Sequence, residues 1–316
     1  MSNLTFNSEF LLLEFSEIWE LQILHFLVFL VLYLATMTGN LLIIATIALD
    51  QHLHTSMYFF LMNLAILDIS SVSVIIPKSM ANSITSSKSI SYSGCVAQVF
   101  FYFLFASTDF AILTVMARDC YVAICNPLQY KTIMHKKACV QMASSAWITC
   151  FLYAAMHTGS TFSMSFCSNV VNQFFCEIPS LLNISCSDLY LVEVGLLVFG
   201  CSLSLGCFIF IIVTYVHIFS AVLKIPSVHG QRKALSTCIP HLTVVCLFES
   251  TAVLVYTRPA TNSSSGQDLV ITILYSMVPP LMNPVIYSMR NKNIKVALWK
   301  LLGISKASDT ISRIVL

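Results

Sequence analysis

The sequence predicts an all-α membrane protein, a seven-transmembrane-helix bundle followed by a short interfacial eighth helix. Composition is the first reason. Of the 316 residues, 57% are hydrophobic and 9% charged, whereas a soluble domain carries about 25% charged residues. The second reason is patterning, because the apolar residues gather into seven runs at 25–49, 57–81, 95–120, 139–161, 192–223, 234–257 and 269–289. Each is about twenty residues or more, enough to cross ~30 Å of hydrocarbon as helix.

An odd number of spans places the termini on opposite sides of the bilayer. Lys and Arg near span ends stay cytoplasmic. With the N-terminus outside, every basic residue is cytoplasmic except Lys78, Lys88 and Arg258, while Glu9, Glu14, Glu17, Glu20, Glu177, Asp188, Glu193 and Asp268 are external. The expected organisation is an extracellular tail over 1–24, the bundle over 25–289, and a cytoplasmic amphipathic helix and tail over 290–316. Residues 1–24 hold four glutamates and no basic residue, the wrong flank for a cleavable signal, so the first span is expected to serve as the insertion signal. A net charge of +2 fits contact with anionic inner-leaflet lipid and is too small to argue for nucleic acid, of which no binding module is visible.

Twelve cysteines divide by location. Cys95, Cys167, Cys176 and Cys186 lie at the outer end of span 3 or in the 162–191 loop, an oxidising space, and the other eight are expected to be free thiols. A loop of ~30 residues without structure of its own needs a function or a staple, and four cysteines allow three pairings. Acceptor sequons stand at Asn3-Leu4-Thr5, Asn183-Ile184-Ser185 and Asn262-Ser263-Ser264, of which Asn3 on the free tail is the preferred glycosylation site. The polar stretch 83–94 reads as a solvated external loop.

Charged side chains inside membrane spans are costly and mark function. Asp68 lies in span 2, Asp109 and Asp119 in span 3, and Glu249 in span 6, with the amides of Asn40 and Asn283 in spans 1 and 7. Ten positions separate Asp109 from Asp119, about 15 Å along a helix, so the first is deep and the second is near the cytoplasmic interface. Asp68, Asp109 and Asn283 offer hard oxygen ligands for a small cation such as sodium, or a neutral hydrogen-bonded cluster. Pro279, Pro280 and Pro284 remove backbone donors from span 7 and kink it. Beyond it, Ile294, Ala297, Leu298 and Leu301 recur at helical spacing beside Lys292, Lys295 and Lys300, the pattern of an interfacial amphipathic helix.

Seven ordered segments carry a family resemblance: Gly39-Asn40, LHTSMYFFLMNLAILD (53–68), MARDCYVAICNPLQY (116–130), the three loop cysteines, Thr214-Tyr215, KALSTCIPHLTVV (233–245) and PLMNPVIYSMRN (280–291). Along nearly its whole length the chain resembles the odorant (olfactory) receptors of the rhodopsin-like G-protein-coupled class. The resemblance implies a plasma-membrane receptor, not an enzyme, that couples a small odorant to a heterotrimeric G protein of the olfactory stimulatory type. It implies the disulfides Cys95–Cys176 and Cys167–Cys186, and it puts Asp68, Asp109 and Asn283 at the family's sodium-site positions, with Asp109 where Glu is more usual. The implied ligand pocket draws on Tyr102, Phe103, Ala106 and Ser107 of span 3 and Phe199 and Leu203 of span 5. Glu249, Val253 and Tyr256 of span 6 and Ser276 of span 7 complete it. Such an apolar lining with few polar groups suits a small, mostly hydrophobic ligand. G-protein coupling falls to Asp119, Cys120, Tyr121, Tyr215 and Tyr287.

Two segments depart from the family pattern. Where its third span ends in Asp-Arg-Tyr, this chain has Asp119-Cys120-Tyr121, with an Arg at 118; where its sixth has Phe-Tyr-Gly, this chain has Phe248-Glu249-Ser250. Residues 118 and 120 lie about 200° apart around a helix, so Arg118 cannot substitute for an Arg at 120, and Asp119 is expected to lack its usual neighbour. Impaired coupling with intact binding is therefore one alternative function. A transporter or channel is another, but internal repeats and paired discontinuous helices are not visible in the sequence.

Overall fold

A computed structural model describes residues 9–12, 18–85, 88–171, 173–187, 190–256 and 266–303. Seven long helices follow the seven apolar runs: α1 (Trp19–Leu49), α2 (Ser56–Thr85), α3 (Tyr92–Cys125), α5 (Lys136–Phe162), α7 (Tyr190–Leu223), α8 (Val228–Tyr256) and α9 (Gly266–Arg290). Two short helices, α4 (Tyr130–Ile133) and α6 (Ile178–Asn183), sit in the connections, and α10 (Lys292–Leu301) follows α9. Even α9, at 25 residues, is about 37 Å long at ~1.5 Å per residue, longer than the ~30 Å of hydrocarbon.

Burial is inverted relative to a water-soluble bundle. Leu34, Ile148, Phe151, Leu152, Val198, Ile209 and Val213 are exposed, while Asn40, Asp68, Asp109, Asp119, His157 and Asn283 are buried. Exposed apolar faces and polar interiors are stable only where lipid is the solvent. Among the described residues, six of the seven long helices are long and apolar enough to span a bilayer by length and composition alone. The remaining one, α9, contains Pro279, Pro280 and Pro284 and packs against α1, α2 and α8.

The close approach of α1 to α9 follows from residue chemistry. A Cβ on Gly39 would stand 2.9 Å from Pro284 Cγ, so only glycine lets the two helices meet there. Pro284 has no N–H to donate to the carbonyl one turn earlier. That carbonyl, on Pro280, accepts instead from Asn40 Nδ2 at 3.1 Å. The Gly39-Asn40 pair thus supplies both the space and the donor that the proline requires.

At the end bearing Cys95 and Cys176, a three-stranded sheet of order β2-β1-β3 joins β1 (Glu9–Leu12), β2 (Ser89–Ser91) and β3 (Val170–Val171), antiparallel to β2 and parallel to β3. Alternation turns Phe10 and Leu12 inward, onto a cluster that includes Ile90, Val171, Cys95 and Cys176. This corrects the expectation that 83–94 is a solvated loop: its described residues extend α2, form β2 and open α3, because the tail supplies a partner strand that no local pattern announces. At the other end, Ile294 and Ala297 of α10 turn into the main core, and Asn291 caps the helix by accepting from the Asn293 and Ile294 amides.

Candidate functional site

The disulfide end carries a strap across the bundle. Cys95–Cys176 and Cys167–Cys186 have Cα–Cα distances of 5.5 and 5.7 Å. Between them, residues 174–177 are tied to three helices. Ser79 of α2 donates to the Phe174 carbonyl at 3.4 Å, and the Cys176 amide donates to Gln98 of α3 at 2.8 Å. The Glu177 carboxylate accepts from Ser180 at 2.9 Å and from the hydroxyl of Tyr275 on α9. Burial pushes the Glu177 carboxyl above the ordinary glutamate range, offset in part by those two hydroxyls.

Beneath the strap a narrow cavity is lined by Leu67, Asp68 and Ser71 of α2, Tyr102, Phe105, Ala106 and Asp109 of α3, Phe248 of α8, and Tyr275, Ser276, Pro279 and Pro280 of α9. It offers about 30 Å³ to the centres of water-sized molecules, above the ~10–15 Å³ that one water needs. That is room for water or a small ion; a larger ligand has to displace side chains such as Tyr102 and Phe248. At the cavity floor Asn283 Nδ2 donates to both Asp68 oxygens, at 3.1 and 3.0 Å. The Asn283 and Asp109 Oδ1 atoms are buried without a partner among the described residues. Two carboxylates and an amide oxygen form a donor set that fits a small hard cation.

Of the residues implied for the pocket, the structure gathers Tyr102, Ala106 and Ser276 on this cavity. It places Phe103 elsewhere, against His157 and Tyr153 with ring centroids 4.7 and 5.4 Å away, and Ser107 bonds back to the Phe103 carbonyl at 2.7 Å. Phe199 and Leu203 are 55% and 54% exposed, on the lipid-facing side of α7. Phe248, stacked on Phe110 at 5.6 Å, reaches the cavity where Glu249 does not, because adjacent helical residues point about 100° apart. The side chains of Val253 and Tyr256, and all of Asn3, lie outside the described residues. Glu193, near the start of α7, is fully buried against His157 of α5.

At the opposite end Asp119 is not left alone. Ser56 of α2 donates to it at 2.9 Å and Tyr130 of α4 at 3.0 Å, and these two hydroxyls also bond each other. Burial and the neighbouring Asp119 push the Tyr130 hydroxyl above the ordinary tyrosine range, which keeps it a donor. Asp119 lacks the adjacent Arg of the family pattern, and two hydroxyls from other helices bond it instead. Cys120 is buried in contact with Cys238 and Tyr215, while Arg118 is exposed, as the helical geometry requires. His241 Nε2 lies 2.9 Å from the Leu113 carbonyl, which can only accept, so Nε2 carries the proton. Nδ1 of the neutral ring then accepts from Tyr215 at 2.7 Å. Tyr121 packs edge-on against His217 and Tyr287 is buried nearby.

Tyr275, Glu177, Ser56, Tyr130 and His241 were not singled out from sequence as site residues. Ser56, Tyr130 and His241 stand inside the motif segments, which was their only signal; Glu177 read as one more external acid beside Cys176.

Comparison with known proteins settles the family. The family described as "Olfactory receptor" matches residues 29–304. Human olfactory receptor 14I1 is 53% identical over 302 residues, covering 95% of this chain and 97% of that protein. Human olfactory receptor 14A16 is 52% identical over 303 residues, covering 96% and 98%, and human olfactory receptor 14C36 is 50% identical over the same length, covering 96% and 97%. With the multi-pass helical bundle and the two disulfides, these matches make the chain a member of the olfactory receptor family, rhodopsin-like G-protein-coupled receptors that are signalling proteins and not enzymes.

Proposed function

We propose that this receptor binds a small, mostly hydrophobic odorant in the space beneath the strap and passes the event to a heterotrimeric G protein of the olfactory stimulatory type. The observation that carries the reading is the cavity joining Tyr102, Ala106, Phe248 and Ser276 to Asp109 and Asp68, directly below a disulfide-tied lid. Ligand binding that wedges Phe248 and Tyr102 apart favours a different packing of α3 against α8, a population shift that needs unequal affinity for the two arrangements. Asp68, Asp109 and Asn283 are the residues that would hold a sodium ion, whose charge would offset the two buried carboxylates. The disulfide end faces outward, supported by the distribution of Lys and Arg and by the oxidising chemistry disulfides need. The opposite end, with Asp119, Cys120, Tyr121, Tyr215 and Tyr287, meets the G protein in the plasma membrane's cytoplasmic space.

The test is a cyclic-nucleotide reporter screen against an odorant panel in cells with measured surface expression; responses to a structurally coherent set of odorants support the reading, and ligand-dependent flux in vesicles lacking any G protein would support a transporter instead. One observation favours a second reading, a receptor that binds but couples weakly. Cys120 is short, neutral and buried where the family carries a long cation.

A further inference from the structure

We infer that Glu177 is the anionic anchor of the ligand site, and that the receptor's preferred odorants carry a primary or secondary ammonium group on a short apolar body. This deepens the proposed function and rests on it. The charge around the cavity is one-sided: Asp68 and Asp109 line it, Glu177 bonds the hydroxyl of Tyr275, which also lines it, and no Lys or Arg is among its lining residues. A cleft lined by carboxylates concentrates small cations and repels anions.

The partners of Glu177 sharpen the assignment. Its two oxygens accept from the hydroxyls of Ser180 and Tyr275, and among the described residues no cation bonds it. A partly buried carboxylate without a countercharge is costly, which is why burial raises its pKa. An ammonium removes that cost and adds charge-assisted hydrogen bonds that an alcohol cannot match. Aromatic faces complete the recognition, since Tyr102 packs edge-on against Phe175 at 5.3 Å, next to the strap and lining the cavity, where ring faces also attract cations. Glu249, the acid within the implied pocket, does not line the cavity, where Phe248 takes the facing position.

The experiment compares n-pentylamine, n-hexylamine and n-heptylamine with the alcohols of the same chain length, at matched concentrations, as thermal stabilisers of the purified full-length receptor. The amines should bind about tenfold to a hundredfold more tightly than their alcohols. Glu177→Gln should remove that margin while leaving alcohol binding in place, and Glu177→Asp should keep much of it. Equal stabilisation of the wild type by amines and alcohols, no stabilisation by either, or a folded Glu177→Gln that keeps the amine margin overturns the assignment. Should Glu177→Gln fail to fold, the wild-type margin and its survival in Glu177→Asp decide. A parallel cyclic-nucleotide assay separates the two readings: neutral odorants that signal while amines neither bind nor signal sink the ammonium site alone. Amines that bind through Glu177 with no response to any odorant sink the signalling reading alone.

Discussion

The two ends of the bundle are held by different kinds of bond. The disulfide end has two covalent cross-links, a three-stranded sheet and a strap tied to α2, α3 and α9. The Asp119 end relies on side-chain hydrogen bonds, Ser56 and Tyr130 to Asp119 and Tyr215 to His241 to Leu113. Covalent closure constrains the unfolded chain permanently, whereas each hydrogen bond is worth about 0.5–1.5 kcal/mol net and exchanges readily for another. The contrast suits a receptor with a fixed ligand frame at one end and a repacking surface at the other.

Breaking the fixed end should have the largest effect. Cys95→Ser and Cys176→Ser should each abolish surface delivery, with a cost of ~2–5 kcal/mol, and the double mutant should be no worse than either single by surface immunostaining. Additive losses would show that the two are not partners. Cys167→Ser should cost about 1 kcal/mol less, because the closed loop spans 19 residues rather than 81 and closure entropy grows with loop length. Equal losses would put the strap's stability in its packing and not in chain closure.

At the exchangeable end, Tyr215→Phe leaves His241 Nδ1 buried without its donor, and should lower the unfolding free energy of purified receptor by ~1–3 kcal/mol; no change in thermal denaturation would discount that bond. Cys120→Arg should raise agonist-driven signalling about fivefold or more at matched surface expression, the lower end of coupling free energies between sites, while Arg118→Ala should have little effect. If Arg118→Ala abolishes signalling and Cys120→Arg does nothing, the displaced Arg carries the coupling and the two-hydroxyl replacement is incidental.

The smallest expected effect is on pH dependence at the strap. The folded-state pKa of Glu177 is raised above its unfolded value, so the folded state binds this proton more tightly and the contribution is stabilising at acid pH, present below the unfolded pKa. It is lost as pH rises through the raised value. Thermal stability of ligand-free receptor should therefore fall slightly across that window, and Glu177→Gln should flatten this component. A dependence unchanged by Glu177→Gln would assign it to another group.

Much of the frame was legible because it depends on residue type alone. Apolar runs of sufficient length form membrane helices whatever surrounds them, and Pro284 must free the carbonyl of residue 280 wherever its helix packs. The four cysteines of the disulfide end were placed by the apolar runs around them, and their pairing came through the family resemblance. Of the implied ligand residues, Tyr102, Ala106 and Ser276 meet at one cavity, whereas Phe199 and Leu203 face outward because the rotation of α7 about its axis is set by its neighbours.

What the amino-acid sequence determined by itself is therefore the solvent, the helices, the departure at Cys120 and the opposite facing of Arg118, all consequences of hydrophobicity and helical repeat. What only the tertiary structure decided is which acids are buried and what they touch. Glu177 and Glu193 sit among similar polar and apolar neighbours in the chain as any external acid would, yet one is held by Tyr275 and the other by His157. The tail strand that crosses to β2 and β3, the hydroxyls that replace the missing Arg at Asp119, and the choice of Phe248 over Glu249 at the cavity have the same origin. Each depends on contacts between residues tens to hundreds of positions apart, and a helical step of about 100° per residue makes the outcome turn on an axial rotation that local sequence leaves open.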